Sequence, residues 1–514
     1  MTTESAALDK GYRTQIRATP PEAARRYLFQ RGYFYGMPLP EFILPSGFEH
    51  MTLSPTTKWR WTTPIYLLAP KGETGWRRFT LLHPYAYWHL VNTTTSIDYW
   101  EHIRQLLGRH NGVACYTLPN YRIGTNPIAT SIKVWIQFER DLVSYGEPFT
   151  HLAVCDISSF YPSIYTHSIA WALHGKAKAK ANRGRIPGHG DRIDQLFQAA
   201  REGQTNGLPI GNLVSDLFAE VILSDIDKAV TEELGSHSIA HLAARFRDDY
   251  RILCSSESHA KRIIRTVSRM LHEQYDLSLN DEKTHVYSDV VAASTRPWQA
   301  AIQADAALAF LLASPQTVHL TGSQLTAALL SAYHIQRAHP NGRPAVSILN
   351  RLGHIPELGA GIHRADIEYA LGILQRLMSL REEVTPPATL LVDVLLQYLQ
   401  PGARRSALTS LRQLALRDVD NHFRQMWLLR LALHYEPGQL DDFAGIDSPL
   451  IRLILGPVVP DVSVFHPLPG LSEKDQRELR NFQLVDRSLL EDVKGSPIPT
   501  SAVSAFSYSD PPRA

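Results

Sequence analysis

Three acidic side chains in two separated segments have the residue types that phosphoryl transfer requires. Asp156 ends an apolar, strand-like run, and Asp248 and Asp249 stand side by side among aromatic and apolar residues further along the chain. A pair of magnesium ions held by carboxylate oxygens can stabilise both the attacking and the leaving oxygen of such a reaction. Adjacent carboxylates in apolar surroundings are costly without a cation to offset their repulsion. The pattern predicts a two-metal catalytic site in which Asp156 and Asp248 bridge the ions and Asp249 supports them.

Two further groups complete the predicted metal site. The backbone carbonyl of Ile157 is a candidate oxygen ligand for the metal. Lys283 follows the last apolar strand and is a candidate catalytic residue that protonates the leaving pyrophosphate or holds a triphosphate. The expected cofactor is Mg²⁺, as two ions, with Mn²⁺ as a substitute.

A glycine-rich segment, residues 207–211, lies between the two acidic segments. Its glycines allow the backbone to approach a base pair closely. Nucleotide contacts are therefore expected from Pro209, Ile210 and Gly211, with a helix beginning near Asn212.

Other candidate nucleotide contacts come from one aromatic and two basic residues. A ring at Tyr161, shortly after Asp156, would lie beside the sugar of an incoming nucleotide and clash with a 2′-hydroxyl group. This position predicts dNTPs as substrates and DNA as the product. Arg77 and Arg78 are candidates for contact with the triphosphate.

A basic run follows the first acidic segment, with a single acidic residue, Asp191, near its end. Such a run suits contact with the phosphates of a nucleic acid, although a solvated loop is the alternative interpretation. The candidate nucleic-acid-binding residues are Lys176, Lys178, Lys180, Arg183 and Arg185.

Length and composition indicate a soluble protein of two or three domains. The chain has 514 residues, of which 44% are hydrophobic and 20% charged. Its three cysteines form no CxxC pair, which excludes a disulfide scaffold and a zinc ribbon. No apolar stretch is long enough for a membrane span, and the first residues lack a signal-peptide pattern, so a cytoplasmic protein without membrane contact is expected.

The pattern changes along the chain and predicts four regions. Residues 1–150 mix aromatic and basic residues, with short strands and a helix starting near Tyr85. Residues 151–295 alternate between strands and helices. Residues 296–495 contain successive short amphipathic helices, typical of a helical repeat array. Residues 496–514 are predicted to be a flexible tail.

The four candidate segments resemble, in order and spacing, the palm motifs A to D of reverse transcriptases. The fuller string from Asp156 to Ile169 is most similar to the bacterial abortive-infection, or defence-associated, reverse transcriptases. The motif segments are Asp156 to Tyr161, Gly207 to Gly211, Phe246 to Asp249, and Leu279 to Lys283.

The resemblance implies a fold class and a function. The fold would be an α+β right-hand polymerase, with fingers and the start of the palm in residues 1–150 and the palm in 151–295, followed by an all-α, HEAT-like repeat domain in 296–495. The activity would be RNA-directed DNA polymerisation, with dNTPs added to a 3′-hydroxyl or to a protein hydroxyl, in defence against phage. The partners would be an RNA template, the DNA product and, as in some relatives, further copies of the chain. Arg247 departs from the family pattern, which has a small or apolar residue there, and it could pair with Asp249 or reach nucleic acid.

Three alternatives remain open from the sequence. An RNA-directed RNA polymerase shares the acidic motifs, but usually has a polar group where Tyr161 stands. A mobile-element reverse transcriptase of the retron or group II intron kind is a second alternative, although no zinc-bearing endonuclease module is present. The third is a catalytically idle nucleic-acid-binding scaffold, in which the helical array recruits partners.

Overall fold

The computed structural model describes most of the chain. The described residues are 8, 11–55, 60–71, 75–118, 121, 127–181, 189–294, 297–309, 320–340, 342–353, 362–417, 420–456 and 459–500. The candidate residues Arg183 and Arg185, and positions 501–514 of the predicted tail, lie outside the described residues.

Within the described residues, seven strands form two sheets. Strands β1 and β2 make an antiparallel hairpin, and the other five form one sheet in the order β3-β5-β6-β4-β7. In this sheet β3 pairs with β5 in parallel, and the remaining pairs are antiparallel. The strands are β1 Ile65–Lys71, β2 Gly75–Leu81, β3 Val113–Cys115, β4 His151–Asp156, β5 His241–Phe246, β6 Asp249–Cys254 and β7 His285–Tyr287.

Helices pack around the five-stranded sheet and alternate with its strands along the chain. The helix predicted near Tyr85 is present as α3, directly after the hairpin. The helices up to residue 304 are α1 Tyr12–Ala18, α2 Pro21–Arg31, α3 Pro84–Thr94, α4 Ile97–Leu107, α5 Pro127–Tyr145, α6 Phe160–Ser163, α7 Ser168–His174, α8 Lys176–Ala181, α9 His189–Ala199, α10 Leu213–Ser236, α11 Glu257–Tyr275, α12 Val290–Ser294 and α13 Pro297–Ala304, with 3₁₀ turns at Phe48–His50 and Asp281–Lys283.

Both faces of the central sheet are covered, because side chains alternate along each strand. Ala153 and Cys155 point into the main hydrophobic core, which α10 and α11 help to form. Leu152 and Val154 point to the opposite face and belong to a smaller core with Phe138 of α5. A sheet fixed on both faces is a rigid base for residues at the ends of its strands.

The C-terminal part of the described chain is helical, as the apolar spacing predicts. Its helices are α14 Gly322–Ala338, α15 Pro344–Gly353, α16 Arg364–Met378, α17 Thr385–Gln397, α18 Pro401–Arg417, α19 His422–Tyr435, α20 Asp441–Ala444, α21 Pro449–Leu455, α22 Glu473–Leu479 and α23 Arg487–Asp492, with 3₁₀ turns at Ala306–Leu308, Glu382–Val384 and Asp461–Val464. From α14 to α19, helices pack against their next or next-but-one neighbour.

Helix α19 joins this helical region to the N-terminal part. The ring of Phe423 packs edge-on against Phe79 of β2, with ring centroids 5.1 Å apart. The backbone N–H of Leu68 donates to Nδ1 of His422 over 2.8 Å, which satisfies an edge group of β1. Trp427 donates through Nε1 to the carbonyl of Pro38.

The start of the predicted tail needs correction. Ile498 is buried, and its N–H donates to Oδ2 of Asp393 over 2.8 Å. The carbonyls of Ser496 and Pro497 accept from the guanidinium of Arg430. These contacts hold residues 496–498 against the helical region.

Among the described helices, none is long and apolar enough to cross a membrane.

Candidate active site

The sheet brings the first acidic motif opposite the second. In the antiparallel pairing of β4 with β6, Asp156 is the direct register partner of Asp249. Asp248 lies in the tight turn between β5 and β6, where Arg247 has a left-handed backbone with φ of 55°. The N–H of Ile157 donates to the carbonyl of Asp248 over 3.3 Å. The predicted catalytic carboxylates therefore meet at one end of the sheet.

The charge at this end is only partly balanced. Burial and the neighbouring Asp156 carboxylate raise the pKa of Asp248 to about 6. Asp156 is paired with Lys283 at 3.1 Å, and Asp249 is paired with Arg251 at 2.8 Å. Within the described residues, no three His, Cys, Asp or Glu side chains form a preassembled metal-binding group.

The donor set nevertheless fits a divalent cation. Carboxylates are the hard oxygen ligands that Mg²⁺ prefers, and the raised pKa of Asp248 marks negative charge without sufficient compensation. Asp156 is paired with Lys283, whose side chain is about half exposed, whereas Asp249 is held through both oxygens by Arg251, which also donates to the carbonyl of Ala293.

The segment that carries Lys283 is joined to Asp156 through the backbone. The N–H of Asn280 donates to the carbonyl of Asp156 over 2.8 Å, and the N–H of Ser158 donates to Ser278. The Asn280 side chain then caps the 3₁₀ turn at Asp281–Lys283. With these bonds in place, the Lys283 ammonium lies 3.1 Å from Oδ2 of Asp156.

The glycine-rich segment needs glycine at both ends. Gly207 and Gly211 have φ of 85° and 109°, in the region that side chains disfavour. The Asn212 side chain donates to the carbonyl of Pro209 and accepts from the N–H of Ser215, which begins α10 as predicted.

This segment is hydrogen-bonded to two residues of the N-terminal part of the chain. The carbonyl of Ile210 accepts from the N–H of Thr80 on β2 over 2.9 Å. The carbonyl of Gly211 accepts from the N–H of Tyr35 over 2.8 Å. These two bonds hold the glycine-rich segment against β2 and against Tyr35.

Tyr161 is held by a charged pair that the sequence does not reveal. Its hydroxyl donates to Oδ1 of Asp216 on α10 over 2.6 Å. Arg247 donates to the other oxygen, Oδ2, over 2.9 Å. Burial raises the pKa of Asp216, and the Arg247 guanidinium opposes that change. The carboxylate that pairs with Arg247 is therefore Asp216 and not Asp249. The guanidinium of Arg247 also lies over the ring of Tyr35.

A buried network fixes the hairpin that carries Asp248 and Asp249. Arg245 of β5 is fully buried and donates to both oxygens of Asp227 over 2.9 Å, and to Glu220 over 2.7 Å. The hydroxyl of Tyr250 donates to Asp227 over 2.7 Å. Because α10 supplies both carboxylates, the acidic turn is tied to the helix that follows the glycine-rich segment.

The two arginines predicted to contact a triphosphate have protein partners. Arg77 pairs with Glu382 at 3.3 Å and with Glu383 at 3.7 Å, both from the helical region. The guanidinium of Arg78 lies 4.4 Å from the ring centroid of Tyr66. A triphosphate role for either residue stays a prediction.

Lys71, at the end of β1, lies near the candidate site and was not among the site residues predicted from the sequence. Its pKa is lowered by burial, then by Arg77 and Lys283, while Asp156 and Asp248 oppose the shift. Lys71 thus lies within electrostatic reach of the catalytic carboxylates. A lysine at the end of a strand that enters a glycine-bounded turn was the available signal.

The described lysines of the basic run make local contacts. Lys176 donates to the carbonyl of Gln274 over 2.7 Å, at the end of α11. The ammonium groups of Lys176 and Lys180 lie 4.8 and 5.8 Å from the ring centroid of Trp171. Lys178 and Lys180 are exposed, and nucleic-acid contact by this run remains a prediction.

Carboxylates at the ends of the antiparallel strands β4 and β6, together with a glycine-rich segment and a basic hairpin, are typical of a palm-type nucleotidyltransferase site. Residues 126–325 match the family model described as reverse transcriptase (RNA-dependent DNA polymerase). The chain therefore carries a reverse transcriptase domain and is an RNA-directed DNA polymerase.

Comparison with solved structures and with curated proteins adds only a weak structural similarity. Among solved structures, the chain is similar to apo telomerase from Candida tropicalis, with 11% sequence identity and a TM-score of 0.30. That similarity covers 74% of this chain and 69% of the telomerase chain. A search of curated proteins found no match.

Proposed function

We propose that this protein adds dNTPs to a 3′-hydroxyl, or to a protein hydroxyl at initiation, at the site formed by Asp156, Asp248 and Asp249. The observation that carries the proposal is the register pairing of Asp156 with Asp249, with Asp248 in the adjoining turn. In the reaction, the α-phosphorus bonds to the hydroxyl oxygen and its bond to pyrophosphate breaks.

Asp156 and Asp248 would hold two Mg²⁺ ions, with Asp249 and the carbonyl of Ile157 as supporting ligands and Mn²⁺ as a substitute. When bound, such ions stabilise charge on the attacking and leaving oxygens. Lys283 lies next to Asp156 and is suited to give a proton to the departing pyrophosphate.

Other residues of the site orient the nucleotide. Lys71 adds a cation near the carboxylates for the triphosphate. Tyr161, fixed through its hydroxyl by Asp216, supplies a rigid ring for exclusion of the 2′-hydroxyl. Pro209, Ile210 and Gly211 would contact the base pair through their backbone, as the glycine-rich pattern predicts.

Incorporation of labelled dNTPs tests this function. The full chain is incubated with each dNTP and Mg²⁺, with an RNA template and DNA primer and also without them. We expect incorporation by the wild type and background levels for Asp156→Asn and Asp248→Asn, with unchanged circular dichroism. Asp447→Asn, at a carboxylate that is 92% exposed, is the matched control. Full activity of either catalytic-site variant would reject the assignment.

We further propose a role in defence against phage, in the cytoplasm, with α14 to α19 as a HEAT-like array. The similarity of the string from Asp156 to Ile169 to defence-associated reverse transcriptases supports this role. The packing of each of these helices against next or next-but-one neighbours supports the repeat assignment. Phage plaque counts on cells that carry the wild type or Asp248→Asn test the role, and size-exclusion chromatography with light scattering tests for a homo-oligomer.

A further inference from the structure

A basic surface cleft lies on the palm, between the end of α10 and the outer face of α11. Its volume is about 560 Å³. Helix α11 contributes Lys261, Arg262, Arg265 and Arg269 to its lining. Residues three and four apart share one face of a helix, so these cations form a continuous stripe.

Two of the four cations are available to a ligand. Within the part of the chain that the structure describes, neither Arg262 nor Arg265 has an ion-pair partner, and both side chains are exposed. Lys261 is paired with Glu257 at 2.6 Å, although both partners are about 60% exposed and such a pair is weak.

The single carboxylate in the lining is already occupied. Glu233 accepts from Arg269 and lies 3.2 Å from Nε2 of His237. The cleft therefore has a surplus of positive charge, which favours an anionic ligand.

The cleft is separate from the candidate active site. Helix α10 begins at Leu213, beside the glycine-rich segment, and reaches the cleft at Glu233. At 1.5 Å of rise per residue, these two points are about 30 Å apart. Anions bound here cannot contact the catalytic carboxylates.

We propose that this cleft binds the phosphodiester backbone of a single-stranded segment of template or product, outside the active site. The planar guanidinium groups of Arg262 and Arg265 match phosphate oxygens in bidentate geometry. The lining contains neither aromatic nor large apolar anchors of the kind that dominate protein interfaces. The reverse transcriptase domain supplies the reason for a nucleic acid to pass this face.

The test measures binding of a fluorescein-labelled, 40-nucleotide single-stranded RNA by anisotropy across a salt series. The variant is Arg262→Ala/Arg265→Ala. The matched control is Arg376→Ala/Arg405→Ala, which removes two exposed arginines of the helical region and changes the net charge equally. We expect several-fold weaker binding for the cleft variant alone and a salt slope smaller by about 1.4, roughly 0.7 for each lost phosphate contact on a single strand.

A second measurement separates this cleft from the catalytic site. On a short primer–template that fills only the active site, the cleft variant should incorporate dNTPs at the wild-type rate. Equal weakening by the two double variants, or an unchanged salt slope, would overturn the proposal. If the wild type binds a poly-glutamate peptide and Arg262→Ala/Arg265→Ala does not, while the RNA affinity of this variant is unchanged, the cleft would be assigned to an acidic protein instead.

Discussion

The guanidinium of Arg247 lies 2.9 Å from Oδ2 of Asp216 and joins the acidic turn to the helix after the glycine-rich segment. Asp216 uses its other oxygen for the hydroxyl of Tyr161. A residue of the first acidic segment and a residue of the second are thereby held at one carboxylate of α10, the helix that follows the glycine-rich segment. The arginine that departs from the family pattern has a structural role in the positioning of Tyr161.

A double-mutant cycle measures this link. Arg247→Gln leaves Asp216 largely buried with a single donor, so we expect a loss of about 2 kcal/mol in the free energy of unfolding. Asp216→Asn should cost a similar amount, and the double variant should cost less than the sum. The surface pair Arg364–Glu368, at 70% and 51% exposure, is the control, with coupling of less than about 0.5 kcal/mol. Strict additivity at Arg247 and Asp216 would contradict the finding.

Variants of Tyr161 separate its ring from its hydroxyl. Tyr161→Phe keeps the ring and loses the bond to Asp216, so sugar selection should persist while stability falls by about 1 kcal/mol. Tyr161→Ala removes the ring and should raise the kcat/KM for rNTPs relative to dNTPs by roughly tenfold or more. If Tyr161→Ala rejects rNTPs as the wild type does, another group selects the sugar.

The raised pKa of Asp248 predicts a pH dependence of stability. Because its folded pKa is about 6 and its ordinary value 3.8, the folded state holds this proton more tightly. The contribution is full below pH 3.8 and is lost as the pH rises through 6. Asp248→Asn should make the melting temperature less dependent on pH over that interval. At pH 7.5 it should stabilise the apo protein by an amount on the order of 2 kcal/mol.

Metal addition gives the complementary result for the same residue. Millimolar Mg²⁺ should raise the melting temperature of the wild type at pH 7.5, because it binds the folded state alone. Asp248→Asn should show a much smaller rise, and Asp447→Asn should match the wild type. An equal rise in all of these proteins would remove Asp248 from the metal site.

Lys71 provides a kinetic test of the hairpin. If its ammonium contacts the triphosphate, Lys71→Ala should raise the KM for dNTPs by about tenfold, the value of one charge-assisted hydrogen bond. Lys71→Arg should recover much of that loss, and Lys228→Ala, at an exposed lysine of α10, should be neutral. If Lys71→Ala leaves the KM for dNTPs unchanged, Lys71 does not contact the triphosphate and acts only through its charge near Asp156.

The sequence predicted the β1–β2 hairpin, β4, the acidic turn between β5 and β6, and the helices with regular apolar spacing, because these depend on local patterns. It did not predict β3 or β7, and the strand expected just before Lys283 is only an isolated bridge between Leu279 and Ile157. It did not predict the partner of Arg247, since Asp216 reaches it only through packing of α10 on the sheet. The partners of Arg77 in the helical region were hidden for the same reason. The tail boundary was wrong at Ile498, whose burial depends on contact with Asp393. The composition of residues 496–498 does not predict that contact.

The edge of β1 is bonded to His422, and β2 packs on Phe423, so the hairpin that ends in Lys71 shares a mechanical connection with α19. A displacement of α19 would strain both contacts, so the position of the hairpin that carries Lys71 is coupled to the position of this helix.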